Sequence, residues 1–281
     1  MKTTFKSALI IGIMALLGSL TLVRCGKKVE KVIDEEITTD SASMDAKLKL
    51  EQVFLNIPSP IELSKELVKS GFTCNKGLMN SASRSSSYSS NYKAEVNLGV
   101  YGADLGYCTS FAQTQEALAY LNTIKPLADK VGVGAAFDEG MLKRFDGNIS
   151  NKDTLESIIN SAYDKANRNL RSNQRVSSAA VIASGGWIEA LYLTTQTLKG
   201  VAKSDKNEAV FARVWGQIYA YQYVSELLNM YQKNPDCAQL LKELTPVAEI
   251  ADVYSKKSAL SADDVTAIAE KVAAVRNGLV N

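Results

Sequence analysis

The sequence predicts an all-α protein, a bundle of about eight helices joined as antiparallel hairpins, and three observations carry that prediction. Apolar residues recur at helical spacing in one segment after another. Capping and stop residues punctuate those segments. No stretch alternates apolar and polar residues for long enough to form a sheet.

The first element is marked by Ser59-Pro60-Ile61-Glu62, an N-cap serine, a proline at the first helical position and a glutamate placed to complete a capping box. Leu63 and Leu67 supply its apolar face and Gly71 its stop. Ser81 to Ser90 reads as a low-complexity loop with nothing to bury. From Lys93 to about Ala112, Leu98, Tyr101, Leu105 and Cys108 share a helical period. A second run continues from Gln113 toward Val131, and Pro126 predicts a break or kink near Lys125. Gly132-Val133-Gly134 reads as a turn, because the third glycine and preceding strand of a dinucleotide site are missing. Ser150 is placed to cap the next helix, whose face is Leu155, Ile158, Ile159, Ala162, Ala166 and Leu170. Arg175 to Leu198 is a strongly apolar helix. Membrane span and buried helix compete there, and Glu189 with several Ser and Thr favours burial. After a polar break at 200–206, Asn207 to Tyr231 is helical and rich in aromatics. Pro235 opens a further segment that Pro246 divides, and Ser261 with Asp264 caps a last helix ending at Gly278.

The chain organisation follows. Lys2 and Lys6, the uncharged apolar run Ala8 to Val23, then Arg24 and Cys25, have the layout of a signal peptide over 1–25. Cys25, with Leu22 three residues before it, resembles the acylated cysteine of a bacterial lipobox; Arg24 stands where a small residue is usual. Residues 26–44 mix both charges without an apolar period and read as a flexible tether. Residues 45–281 are expected to form a single all-α domain, with a subdivision near 200–206 left open.

Composition narrows the chemistry. Removing 1–25 takes away three cations, Lys2, Lys6 and Arg24, and shifts the formal charge from +2 to −1. No clustered basic excess remains to bind nucleic acid. The chain has no histidine, which removes Ser-His-Asp and Cys-His nucleophilic sites and imidazole zinc sites; no metal or cofactor is expected. Cys74, Cys108 and Cys237 are too scattered for a CxxC motif, and either buried thiols or one disulfide among them fits.

Two apolar helices carry the candidate sites. Gly99, Gly102 and Gly106 leave one stripe of the first without side chains, suited to close helix packing or to a ligand laid on backbone. Asp104 shares a face with Tyr101, Tyr107 and Cys108, and Glu189 lies near Trp187 and Tyr192. Each acid needs a partner, a proton or water when buried. Arg144, Arg175, Arg213 or a tyrosine would make the acids structural; the two acids facing each other would make them candidate acid and base. Phe211, Trp215, Tyr219 and Tyr223 step by four residues, so their rings wind around the helix and cannot all face one core line. Tyr101, Tyr107, Trp187, Tyr192, Trp215 and Tyr219 are therefore the ligand-contact candidates.

The blocks NLGVYGADLGY and GGWIEALYL, with IPSP before them, resemble helical lipoproteins of Bacteroidota over Ile57 to Leu198. That resemblance implies a Cys-tethered envelope location and a helical fold, and it implies no activity. Three functions follow as expectations. First is a non-catalytic, lipid-anchored envelope protein binding a protein partner or serving an assembly. Second is a protein binding a glycan or small ligand, and third a hydrolase using Asp104 and Glu189.

Overall fold

The computed structural model describes residues 48, 50–57 and 59–281, which belong to one compact unit spanning 33–281. The signal peptide, Cys25, the tether and the domain start at Asp45 lie outside the described residues. Every regular element among the described residues is helical, so the protein is all-α.

After helical turns at 50–56 come α1 (Pro60–Lys69), α2 (Asn91–Ser110), α3 (Thr114–Val131), α4 (Glu139–Asp146) and α5 (Lys152–Ser172). They are followed by α6 (Val176–Leu198), α7 (Glu208–Met230), α8 (Pro235–Glu243), α9 (Thr245–Tyr254) and α10 (Ala262–Val280). The described residues thus hold more helices than the expected eight, because α4 and the turns at 50–56 are too short to show a period. Local chemistry sets most of the boundaries. Ser90 accepts the Lys93 N–H at the start of α2, and Gly132, at φ 82°, ends α3 in the left-handed conformation that a glycine adopts without strain. Ser261 and Asp264 form a reciprocal capping box at α10.

Five expectations need correction. Ser59 stands at the N-cap of α1 with Pro60 next, but its side chain makes no capping hydrogen bond, so the expected capping box does not form there. The Ser81–Ser90 stretch is not an idle loop, since it winds as a 3-10 helix over Ala82–Ser87 and buries Tyr88. Helix α3 continues through Pro126. An interior proline costs about 3 kcal/mol, but Pro126 faces solvent, and burying Leu121, Ile124 and Leu127 contributes about 1.5–3 kcal/mol each. The cap of α5 is Asn151, which accepts the Thr154 N–H at 3.1 Å, rather than Ser150. Helix α10 passes Gly278 because Leu279 and Val280 are buried and hold one more turn.

The packing is not a chain of consecutive hairpins. Helices α2 and α6, distant in sequence, make the most extensive contact, with α1 and α3 against α2 and α7 and α10 against α6. Both central helices are buried on nearly all sides, as helices surrounded by others are. Tyr92, Val96, Val100 and Tyr107 of α2 point into one cluster with α6, α7 and α10; Leu98, Tyr101, Leu105 and Cys108 point into another with α3 and α5. Helix α6 is long and apolar enough to cross a membrane, and most of it is buried within the protein. The connection at 200–206 joins α6 and α7, which share one core.

Glycine makes the central crossing. A Cβ at Gly99 would lie 2.0 Å from the Ile182 carbonyl oxygen, and one at Gly185 2.2 Å from that of Val96. Gly102 instead makes room for the Tyr163 ring and Gly106 for the Ile61 side chain.

Candidate functional site

Asp104 on α2 and Glu189 on α6 are brought together at the centre of the fold, each with no solvent exposure. The partner of Glu189 is Arg276 of α10, rather than Arg144, Arg175 or Arg213. Its Nε reaches Oε2 at 2.7 Å and a terminal nitrogen reaches Oε1 at 2.8 Å, a two-point grip. The same guanidinium lies 4.6 Å above the Tyr192 ring. Arg175 serves another buried acid, Glu95, at 3.2 Å, while Arg144 and Arg213 are exposed.

Asp104 is held differently. Its Oδ2 accepts the Asn80 N–H at 3.1 Å, and its Oδ1 receives no hydrogen bond from a described donor. One guanidinium cannot neutralise two dry carboxylates, so this pair retains a proton. Burial and then the Glu189 charge push the Asp104 carboxyl well above the usual carboxylate range. A protonated Oδ1 donating to Glu189 accounts for the oxygen that otherwise lacks a partner.

Around the acids the polar groups close on one another. Asn80 donates from its side chain to Tyr88 Oη (2.9 Å) and Asn97 Oδ1 (3.3 Å), and its carbonyl accepts from Tyr120 (2.8 Å). Tyr101 donates to the Ser81 carbonyl at 2.8 Å. The last carbonyls of α10 are caught in turn. Lys93 reaches those of Gly278 and Leu279 (2.8 and 3.0 Å), Asn97 that of Leu279 (3.1 Å) and Tyr88 that of Val280 (3.1 Å). These are the groups a helix C-terminus leaves without internal partners, with a cation at its negative end.

The sequence reasoning missed Asn80, Tyr88, Tyr120 and Arg276. Arg276 had a legible signal, a lone cation on the Ile268, Val272, Val280 stripe of α10. Asn80 had none, because its role depends on the path of the chain.

The six aromatic candidates do not converge. Tyr101, Tyr107 and Trp187 are fully buried; Tyr107 Oη accepts the Asn75 N–H at 3.0 Å, and Trp187 packs on Tyr221. Tyr192 is half-buried beneath Arg276. Trp215 and Tyr219 stack at 5.6 Å on the outer side of α7, with Tyr219 46% exposed. Cys74, Cys108 and Cys237 form no disulfide.

None of these residues lines a cavity of about 240 Å³ that lies between α1, α2, α5, α6 and residues 54–57, partly open to solvent. Its walls on α1, α2 and α6 are Ile61, Leu98, Gly99, Gly102, Ala103 and Ala183, essentially apolar. The α5 wall presents Asn160, Tyr163, Asp164 and Asn167, spaced to share one helix face. The glycine stripe serves close packing, with Gly99 at the helix crossing and Gly102 against Tyr163, and both glycines also border the cavity.

Compared with known proteins, the chain matches no family model, no curated protein and no solved structure.

Proposed function

We propose that this protein is a non-catalytic binding protein, exported and tethered to an envelope membrane through Cys25, which takes a small, largely apolar molecule into the cavity between α5 and the α2/α6 pair. The cavity carries this reading. A site of about 150 Å³ is enough for a benzene-sized guest, so 240 Å³ suits one ring with a short substituent. Apolar walls with a few convergent polar groups are the usual form of a ligand site. The acids do not compete with this reading. Asp104 and Glu189 are sealed in a network whose partners all belong to the protein, which supports a structural role for both.

Thermal unfolding of the purified chain with one-ring apolar fragments tests the reading. Saturating fragment should raise Tm, because binding to the folded state alone stabilises it. Ala183→Leu, which fills the cavity, should abolish that rise while leaving a folded protein. A rise that is equal in Ala183→Leu would refute the site. For the tether, labelling with a radioactive fatty acid should mark wild type and not Cys25→Ala; equal labelling removes acylation at Cys25.

A second reading, recognition of a protein partner or a glycan, is favoured by the stacked and partly exposed Trp215–Tyr219 pair. Trp215→Ala with Tyr219→Ala would weaken capture of such a partner and leave fragment binding in the cavity unchanged.

A further inference from the structure

We infer that Tyr163 sets the size limit of this cavity, so that it admits one ring with a short substituent and excludes two joined rings. The inference rests on the cavity being a ligand site, and it gives a role to Gly102 of the α2 stripe, which the helix crossing does not use. The α2 and α6 walls cannot recede. Their lining residues Gly99, Gly102, Ala103, Ala183 and Gly186 carry little or no side chain, and Gly99 and Gly186 lie where the two backbones meet. The opposite wall is α5, and Tyr163 is the largest side chain that α5 sends into the lining.

The ring reaches from α5 to α2. A Cβ on Gly102 would lie 1.9 Å from Tyr163 Oη and 2.3 Å from Cζ, and the three atoms nearest to it all belong to Tyr163. To one side the ring meets Phe137, itself fully buried, edge-on at 5.6 Å, so it has no room to withdraw in that direction. Shape rather than hydrogen bonding holds it there. The hydroxyl donates to the Leu98 carbonyl at 3.5 Å, beyond the roughly 2.5–3.0 Å of an ordinary O–H···O bond. Removing the ring therefore extends the cavity to Phe137 and to the Gly102 backbone. A side chain added at Gly102 does the reverse, because the displaced ring has the cavity as its open direction and an interior packed to solid density passes the displacement on.

Toluene and biphenyl, titrated into the full chain by NMR or calorimetry, test this. Wild type should bind toluene and not biphenyl. Tyr163→Ala should bind biphenyl, raising the ratio of biphenyl to toluene association constants on the order of tenfold or more, since the second ring gains apolar burial. Tyr163→Leu, which keeps an apolar side chain in the core, carries the same test where Tyr163→Ala does not fold. Tyr163→Phe should keep the wild-type preference, because the ring without its hydroxyl is the same wall. Gly102→Ala should weaken toluene binding, and adding Tyr163→Ala should restore it, a coupling expected only where the two positions meet. Biphenyl binding wild type as tightly as the Tyr163→Ala or Tyr163→Leu variant, or binding Tyr163→Phe as well as either, would overturn the size limit and leave the cavity a ligand site. Toluene failing to bind wild type would overturn the ligand site, and this inference with it.

Discussion

Asp104 and Glu189 look equivalent in the sequence, each a single acid in an apolar helix, yet their environments are opposite. Glu189 is gripped at two points by Arg276; Asp104 has no such grip, and burial and then the Glu189 charge favour its protonated form, which can donate to Glu189. Their amides should therefore behave differently. Glu189→Gln strands the Arg276 charge in the core and should cost about 3–5 kcal/mol in urea unfolding at pH 7. Asp104→Asn keeps a neutral group and an N–H donor and should cost far less. Equal losses would mean that the proton is not held on Asp104.

The pH dependence has a definite sign. The folded carboxyl of Asp104 binds its proton more tightly than the unfolded one, so its favourable contribution is complete below the unfolded value near 4 and is lost as pH rises toward the folded value. Between those limits wild type should lose stability relative to Asp104→Asn by about 1.4 kcal/mol per pH unit. A flat difference between pH 5 and 8 would contradict the assignment. The presence of two acids in apolar settings was legible beforehand. Which one is charged was not, because it depends on an arginine 87 residues from Glu189 and on the backbone N–H of Asn80, just before the serine-rich 3-10 helix.

At the scale of helices, the glycines divide by what their missing side chains would meet. At Gly99 and Gly185 it is the backbone of the opposing helix, at 2.0 and 2.2 Å; at Gly102 and Gly106 it is the end of Tyr163 or the side chain of Ile61. Alanine at either of the first pair should separate α2 from α6 and lower the denaturant midpoint far more than alanine at Gly106. Gly216 has open space around its Cβ position and lies inside α7, so Gly216→Ala should stabilise by about 0.5–1 kcal/mol. Comparable losses at Gly99 and Gly106 would refute the close crossing. Most helices could be read from caps and period, since both are local. The pairing of α2 with α6 could not, because helices buried on nearly every side do not show which face meets which neighbour. The helix through Pro126 escaped for a related reason. The proline signal is local, while the burial that outweighs it is not.

At the scale of the whole molecule, α2 divides the core and the chain closes on itself near its end. Lys93, Asn97 and Tyr88 hold the last carbonyls of α10, so ending the chain after Asn277 should cost more than the roughly 2–6 kcal/mol of four hydrogen bonds, because the buried Leu279 and Val280 leave with them, read from unfolding midpoints. An unchanged midpoint would make those contacts incidental. The same architecture explains why the cavity was not visible in the sequence. Its apolar walls come from α1, α2 and α6, its polar wall comes from α5, and none of the six aromatic candidates reaches it. Gly99 and Gly102 of the glycine stripe border the cavity, whereas the aromatic candidates lie away from it.

The central claim is that this cavity, and not the buried acids or the outer rings, is where a ligand sits. The most direct measurement is the anomalous scattering of bromine from crystals soaked with 4-bromotoluene, one apolar ring with a short substituent. A bromine peak against Gly102, Ala103 and Ala183 is the expected result. A peak at Trp215 and Tyr219 instead, or none in the cavity at saturating ligand, would contradict it.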